Sequence, residues 1–200
     1  MHILERKPTT FFLTTMLFAM MAFCLTAQAQ VSSAPSTSTK SHLVVTPYNA
    51  ARFYGDPNPQ LTGIVTGLAK GDTITVSYST TASTSSPVGQ YQIVATLNDP
   101  DHHLVNYVLT VNTATLSVDP APLSIVANDV TRASSQPNPA FAGQVTGVKN
   151  NEQITASFDS PAAAGSPAGT YPIVPTVKDG AGTLSNYAVT VSNGTLTVTP

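Results

Sequence analysis

The sequence predicts an all-β fold built from two tandem copies of one small domain, on three observations. The chain repeats itself at an offset of 80 residues without a gap, its apolar residues recur at every second position, and no stretch beyond residue 30 sustains a 3.6-residue period. Leu43 corresponds to Leu123, Pro57-Asn58-Pro59 to Pro137-Asn138-Pro139, Gly63 to Gly143, and Val65-Thr66-Gly67 to Val145-Thr146-Gly147. Further on, Pro87, Gly89, Tyr91 and Ile93 correspond to Pro167, Gly169, Tyr171 and Ile173, and Asn106-Tyr107 to Asn186-Tyr187. Residues 42–120 and 121–200 are therefore taken as duplicated domains of six or seven strands each. An immunoglobulin-like sandwich is the expected arrangement, with a β-grasp-like fold, marked by a helix across one sheet, as the alternative.

The strands follow from the period of two, which puts alternate side chains on one buried face. Ile74, Val76 and Tyr78 form one such series, and Tyr91, Ile93, Ala95 and Leu97 a second. Tyr107, Leu109 and Val111 follow, then Leu116 and Val118. In the second copy the series are Ile154, Ala156 and Phe158; Tyr171, Ile173, Pro175 and Val177; and Tyr187, Val189 and Val191.

Turn residues mark the boundaries. Lys70-Gly71-Asp72 becomes Asn150-Asn151-Glu152, and asparagine is a ready substitute for glycine where the backbone needs positive φ, so one turn geometry is expected in both copies. In each Pro-Asn-Pro element the prolines fix their own φ and keep Asn58 and Asn138 out of the α region, which reads as a rigid corner between two strands. Asp119-Pro120-Ala121-Pro122 joins the copies. Its two prolines favour an extended polyproline linker and a semi-rigid rod of domains. Pro200 occupies the phase of Pro120, where a further linker would begin.

The N-terminal segment reads as a targeting signal. Arg6-Lys7 precedes an apolar run from Phe11 to Leu25, and Ala27-Gln28-Ala29 supplies small residues for cleavage after Ala29. That run is shorter than the roughly 20 residues a membrane-spanning helix needs. A lipidated cysteine would require a small residue before Cys24, where Phe23 stands. Residues 1–29 are thus expected to be a signal peptide and 30–41 a Ser/Thr/Pro-rich leader, giving a secreted or cell-surface protein without a membrane span in its mature part. With Cys24 removed no disulfide can form, and packing alone must hold each domain.

From Gln30 onward six basic residues stand against nine acids, a charge of -3, which is no footprint for a nucleic acid or an anionic lipid surface. The 42% of hydrophobic residues and the scarcity of charge argue for a folded chain.

Several elements together resemble a known family. Tyr54-Gly55-Asp56-Pro57-Asn58-Pro59, Leu61-Thr62, Gly67-Leu68, Gly71-Asp72, Gly89, Tyr91, Ile93, Asn106-Tyr107 and the closing Thr115-Leu116 and Val118 resemble the MBG domain of the YGX type. The resemblance runs from about Leu43 to Pro200. It implies a tandem module of bacterial exported or surface proteins, many of them adhesin-like, and it supplies no activity. The second copy departs where Tyr54-Gly55-Asp56 becomes Ser134-Ser135-Gln136, so the corner is read as structural and the preceding tripeptide as adjustable.

Candidate chemistry is sparse. Beyond the signal segment the histidines are His42, His102 and His103, which leaves few nucleophile-base pairs, and an enzyme is not expected. His102 and His103 beside Asp99 and Asp101 raise a metal cluster, but the corresponding stretch from Asp179 to Thr183 has no histidine, and an exposed loop is the favoured reading. Asp56, Asp72, Asp99 and Asp101 lack the spacing of a calcium loop. No cofactor is expected. Arg52 and Arg132 read as exposed edge-strand arginines that deter strand addition. Tyr107 and Tyr187 read as inward-packed tyrosines whose hydroxyls bond a nearby carbonyl, in preference to a sugar-binding Asn-Tyr pair.

The expected function is a noncatalytic spacer or adhesion module. The alternative is a glycan- or protein-binding module with a site in the first domain, drawing on Arg52, Tyr54 and the His102-His103 loop.

Overall fold

The computed structural model describes residues 39–200. The signal peptide expected at 1–29 and most of the leader expected at 30–41 lie outside the described residues, and Ser41 already belongs to the first strand.

The first domain runs β1 (Ser41–Pro47), β2 (Ala50–Phe53), β3 (Gly63–Thr66), β4 (Thr75–Thr80), β5 (Gly89–Asn98), a short 3-10 turn (His103–Asn106), β6 (Tyr107–Val111) and β7 (Ala114–Asp119). The second repeats it strand for strand. Its elements are β8 (Ala121–Ala127), β9 (Val130–Ala133), β10 (Gly143–Thr146), β11 (Ile154–Asp159), β12 (Gly169–Asp179), a 3-10 turn (Leu184–Asn186), β13 (Tyr187–Ser192) and β14 (Gly194–Thr199). Among the described residues there is no α-helix, and so none of the kind that a β-grasp fold lays across a sheet.

Each domain consists of two mixed sheets. In the first domain they are ordered β3-β1-β6 and β2-β7-β5-β4; in the second, β10-β8-β13 and β11-β12-β14-β9. The outer strands β6 and β2 pair in parallel with β1 and β7, and β13 and β9 do the same with β8 and β14; the other pairings are antiparallel.

The alternation read from the sequence becomes burial. Along β8, Ala121, Leu123, Ile125 and Ala127 are buried while Pro122 and Val126 are exposed. Ala114, Leu116 and Val118 line the inner face of β7 in the same way. Leu123 and Ile125 pack with Ile154 and Tyr187, and beside Phe158 and Val177, so the two sheets close over one another. Burying a Leu or Ile side chain contributes about 1.5–3 kcal/mol, and with no disulfide these inner faces are what hold the domain.

Two expectations change. Leu109 and Val111 are 43% exposed, hardly more buried than Val108 at 44%, and Val189 and Val191 are exposed likewise. The reason is that β6 and β13 are outer strands, paired on one side only. The linker is not a polyproline segment either. Pro120 alone separates β7 from β8, and Ala121 and Pro122 already lie in the ladder opposite Tyr187 and Ala188.

Candidate functional site

The densest cluster of motif residues lies where the first domain meets the second. Immediately after β2 the chain turns through Tyr54-Gly55-Asp56. The Tyr54 N–H donates to Asp119 O at 2.8 Å, continuing the ladder between β2 and β7, and the Asp56 N–H donates to Phe53 O at 3.2 Å. Gly55 sits at φ +79, in the left-handed region where a side chain is strained.

Opposite stands the turn between β10 and β11, where Asn150 and Asn151 both adopt positive φ, as the exchange with Gly71 suggested. Tyr187, at the start of β13, is only 7% exposed. Its hydroxyl accepts the Lys149 N–H at 2.9 Å and donates to Glu152 Oε2 at 2.6 Å. The carbonyl expected from the sequence is that of Lys149, at 3.5 Å, and the shorter bond goes to the carboxylate that the same turn brings to the phenol. Tyr107 makes the same pair of bonds with Ala69 and Asp72 in the first domain.

Tyr54 enters this arrangement from the other domain. It is 3% exposed and belongs to the core cluster of the second domain, with Ala121, Leu123, Ile154 and Tyr187. Its ring meets Tyr187 edge to face, with centroids 5.6 Å apart and planes at 79°. Its hydroxyl donates to Glu152 Oε1, so one carboxylate receives a phenol from each domain. Around them Lys149 Nζ pairs with Asp56 Oδ1 at 2.8 Å, the Val88 N–H donates to Asn186 Oδ1 at 3.0 Å, and Asn150 Nδ2 reaches Thr84 O at 3.4 Å. A Cβ on Gly55 would collide with the Lys149 side chain, so this close approach needs glycine for space as well as for φ.

The electrostatics follow from these contacts. Burial, and then the hydrogen bond to Glu152, pushes the Tyr187 hydroxyl up to about 12, and the same two causes raise that of Tyr54. Burial works to raise Glu152, but the hydroxyls of Tyr187 and Tyr54 outweigh it and hold the carboxyl below its ordinary value.

In the second copy the turn persists without Tyr-Gly-Asp. Ser134 and Gln136 keep the backbone bonds of the turn, to Thr199 O and Ala133 O.

Arg52 and Arg132 are buried at 8% and 6%, which overturns the reading of exposed edge residues. Their strands do lie at sheet edges, yet each side chain turns inward to brace the Pro-Asn-Pro corner. Arg132 Nε donates to Asn138 Oδ1 at 2.7 Å, and its guanidinium also bonds Ala133 O and Ala163 O. Arg52 Nε and Asn58 repeat the bond at 2.7 Å, with Asn58 Nδ2 donating to Ala82 O at 2.6 Å. The corner between Pro57 and Pro59, like that between Pro137 and Pro139, is thus pinned by an arginine six residues earlier. Sequence reasoning noted both retained residues without joining them.

Other motif residues are structural as well. Gly89 and Gly169 open β5 and β12, and the hydroxyls of Tyr91 and Tyr171 donate to Pro87 O at 2.8 Å and Pro167 O at 3.0 Å. Asp99 accepts the N–H groups of His103 and Leu104, and Asp179 those of Ala181, Gly182 and Leu184, so these acids shape the 3-10 turns. His103 Nδ1 lies 2.9 Å from Asp72 Oδ1. Thr73 Oγ1 donates to Asp101. Among the described residues no three His, Cys, Asp or Glu side chains gather as metal ligands.

No curated protein matches the chain. The sequence profile described as MBG domain (YGX type) matches residues 43–117 and 123–197, and no catalytic family is found. With both matched segments coinciding with the two β-domains, and with Tyr54-Gly55 at the joint between them, the chain belongs to the MBG domain (YGX type) family.

Proposed function

We propose that this chain is a noncatalytic spacer or adhesion module of a secreted or cell-surface bacterial protein, whose property under selection is a fixed relation between successive domains. One observation carries this reading: Tyr54 of the first domain is seated in the core of the second, between Glu152 and Tyr187. A side chain shared by two cores couples their stabilities and removes hinge freedom. Export is supported by the Arg6-Lys7 segment, the apolar run and Ala27-Gln28-Ala29. The two-layer packing with outer strands β6 and β13 is in keeping with an immunoglobulin-like sandwich.

The test is the relative orientation of the domains in solution, read from residual dipolar couplings of residues 30–200. One alignment tensor is expected to fit both domains. Two tensors of unequal magnitude would mean a hinged chain and would sink the proposal.

A glycan- or protein-binding site in the first domain is the second reading. Of its members, Arg52 is committed to Asn58 and Tyr54 to the joint. A shallow open groove of about 310 Å³ lined by Thr170, Tyr171, Asn193 and Thr195 offers an aromatic edge and polar groups in the second domain instead. A glycan and matrix-protein array probed with residues 30–200 discriminates the readings, since the spacer reading expects no tight ligand.

A further inference from the structure

The end of the first domain that corresponds to the Tyr54 socket carries the same parts, and among the described residues no other domain covers it. Tyr107 stands for Tyr187, Asp72 for Glu152, Asn106 for Asn186 and Leu68 for Val148, each at the 80-residue offset. The internal bonding is the same: the Tyr107 hydroxyl accepts the Ala69 N–H at 2.9 Å and donates to Asp72, as Tyr187 does with Lys149 and Glu152. The difference is coverage. Asn186 is 8% exposed and accepts the Val88 N–H, whereas Asn106 is exposed, and beside it Leu68 is 36% and Val105 66% exposed.

We propose that this face, formed by Leu68, Lys70, Asp72, Val105 and Asn106, docks the Tyr-Gly-acid turn of another module of the same kind. The occupied joint in this chain states the chemistry of the partner. A phenol donates to the carboxylate, a glycine at positive φ lets the two turns approach, an acid meets a lysine, and a backbone N–H satisfies the asparagine. Lys70 stands one residue along from the position that Lys149 holds in the second domain, so the positive charge is kept. His103 lies against Asp72 where the second domain has Thr183, and an arriving phenol takes the place of its imidazole. The partner is not the other end of a second copy, because Ser134-Ser135-Gln136 offers neither phenol nor glycine.

The chain itself supplies the test. In the full chain the triple variant Ser134→Tyr, Ser135→Gly, Gln136→Asp restores the docking turn at the corresponding end of the second domain, in a loop where residues 135 and 136 are exposed. Sedimentation velocity over a concentration series up to the solubility limit is expected to show a monomeric parent and a triple variant that associates progressively. Adding Asn106→Ala and Leu68→Glu is expected to abolish that association, with circular dichroism and melting matched across all three proteins. A triple variant that stays monomeric, or one whose association survives the changes at 106 and 68, overturns the proposal.

Discussion

Tyr54 donates its hydroxyl hydrogen to Glu152 Oε1, and the same carboxylate takes the Tyr187 hydroxyl at 2.6 Å through its other oxygen. A single acid on the second domain therefore holds one phenol from each domain. The consequences for stability can be measured residue by residue.

Removing the Tyr54 ring empties a site in the core of the second domain. Tyr54→Ala is expected to cost about 3–5 kcal/mol, in the range for deleting a buried aromatic. Tyr54→Phe keeps the packing but leaves Glu152 short of one donor, at about 1–3 kcal/mol. Urea unfolding of the full chain checks both. An unchanged midpoint in Tyr54→Ala would mean that the ring does not sit in that core.

Gly55→Ala places a Cβ at φ +79 and against Lys149. The conformation alone costs about 1–2 kcal/mol, and the collision adds to it. Ser135→Ala, at the corresponding place in the second domain, is expected to stay within about 0.5 kcal/mol, as surface changes usually do. Equal effects at the two positions would remove the joint as the reason for glycine.

Asn138→Ala deprives the buried Arg132 Nε of its acceptor at 2.7 Å. A loss of about 1–3 kcal/mol is expected for a buried polar group left unpaired, with loosening of the corner at Pro137 visible in faster amide exchange from residue 134 to residue 142. Asn58→Ala should repeat this in the first domain. Amide exchange as slow as in the parent would separate the arginine from the corner.

The ion pair between Lys149 and Asp56 is partly exposed, at 33% and 37%. Asp56→Asn is accordingly expected to cost less than about 1 kcal/mol, and the difference should vanish at high salt. A large, salt-insensitive loss would show that Asp56 has a second role in the joint.

The joint is expected to fail at both pH extremes. Glu152 is held below its ordinary value in the folded chain, so its contribution is present above the unfolded carboxyl pKa of about 4.3 and is lost as pH falls through the folded one. Tyr187 is raised to about 12, so its contribution is complete below the unfolded phenol pKa of about 10 and is lost as pH climbs from 10 through 12. Melting temperatures of the parent and of Glu152→Gln across both ranges test this. The variant's melting should depend less steeply on pH in the acid window than the parent's, with Asp99 and Asp179 supplying what dependence is left, and equal slopes in the two proteins would contradict the assignment.

The sequence by itself determined the strand periodicity, the duplication and the turns, because each is a short-range pattern: a period of two marks a face, and Gly71 exchanged for Asn151 marks positive φ. It also carried the family motif. Tertiary structure decided that β6 and β13 are outer strands with half-exposed apolar residues, that Arg52 and Arg132 turn inward to their asparagines, and that Pro120 alone separates the domains. It alone revealed the use of Tyr54-Gly55-Asp56, since Tyr54 meets Glu152 across 98 positions and Asp56 meets Lys149 across 93. No local period encodes a contact between side chains so far apart in the chain. It arises only once two independently patterned cores are folded and brought face to face.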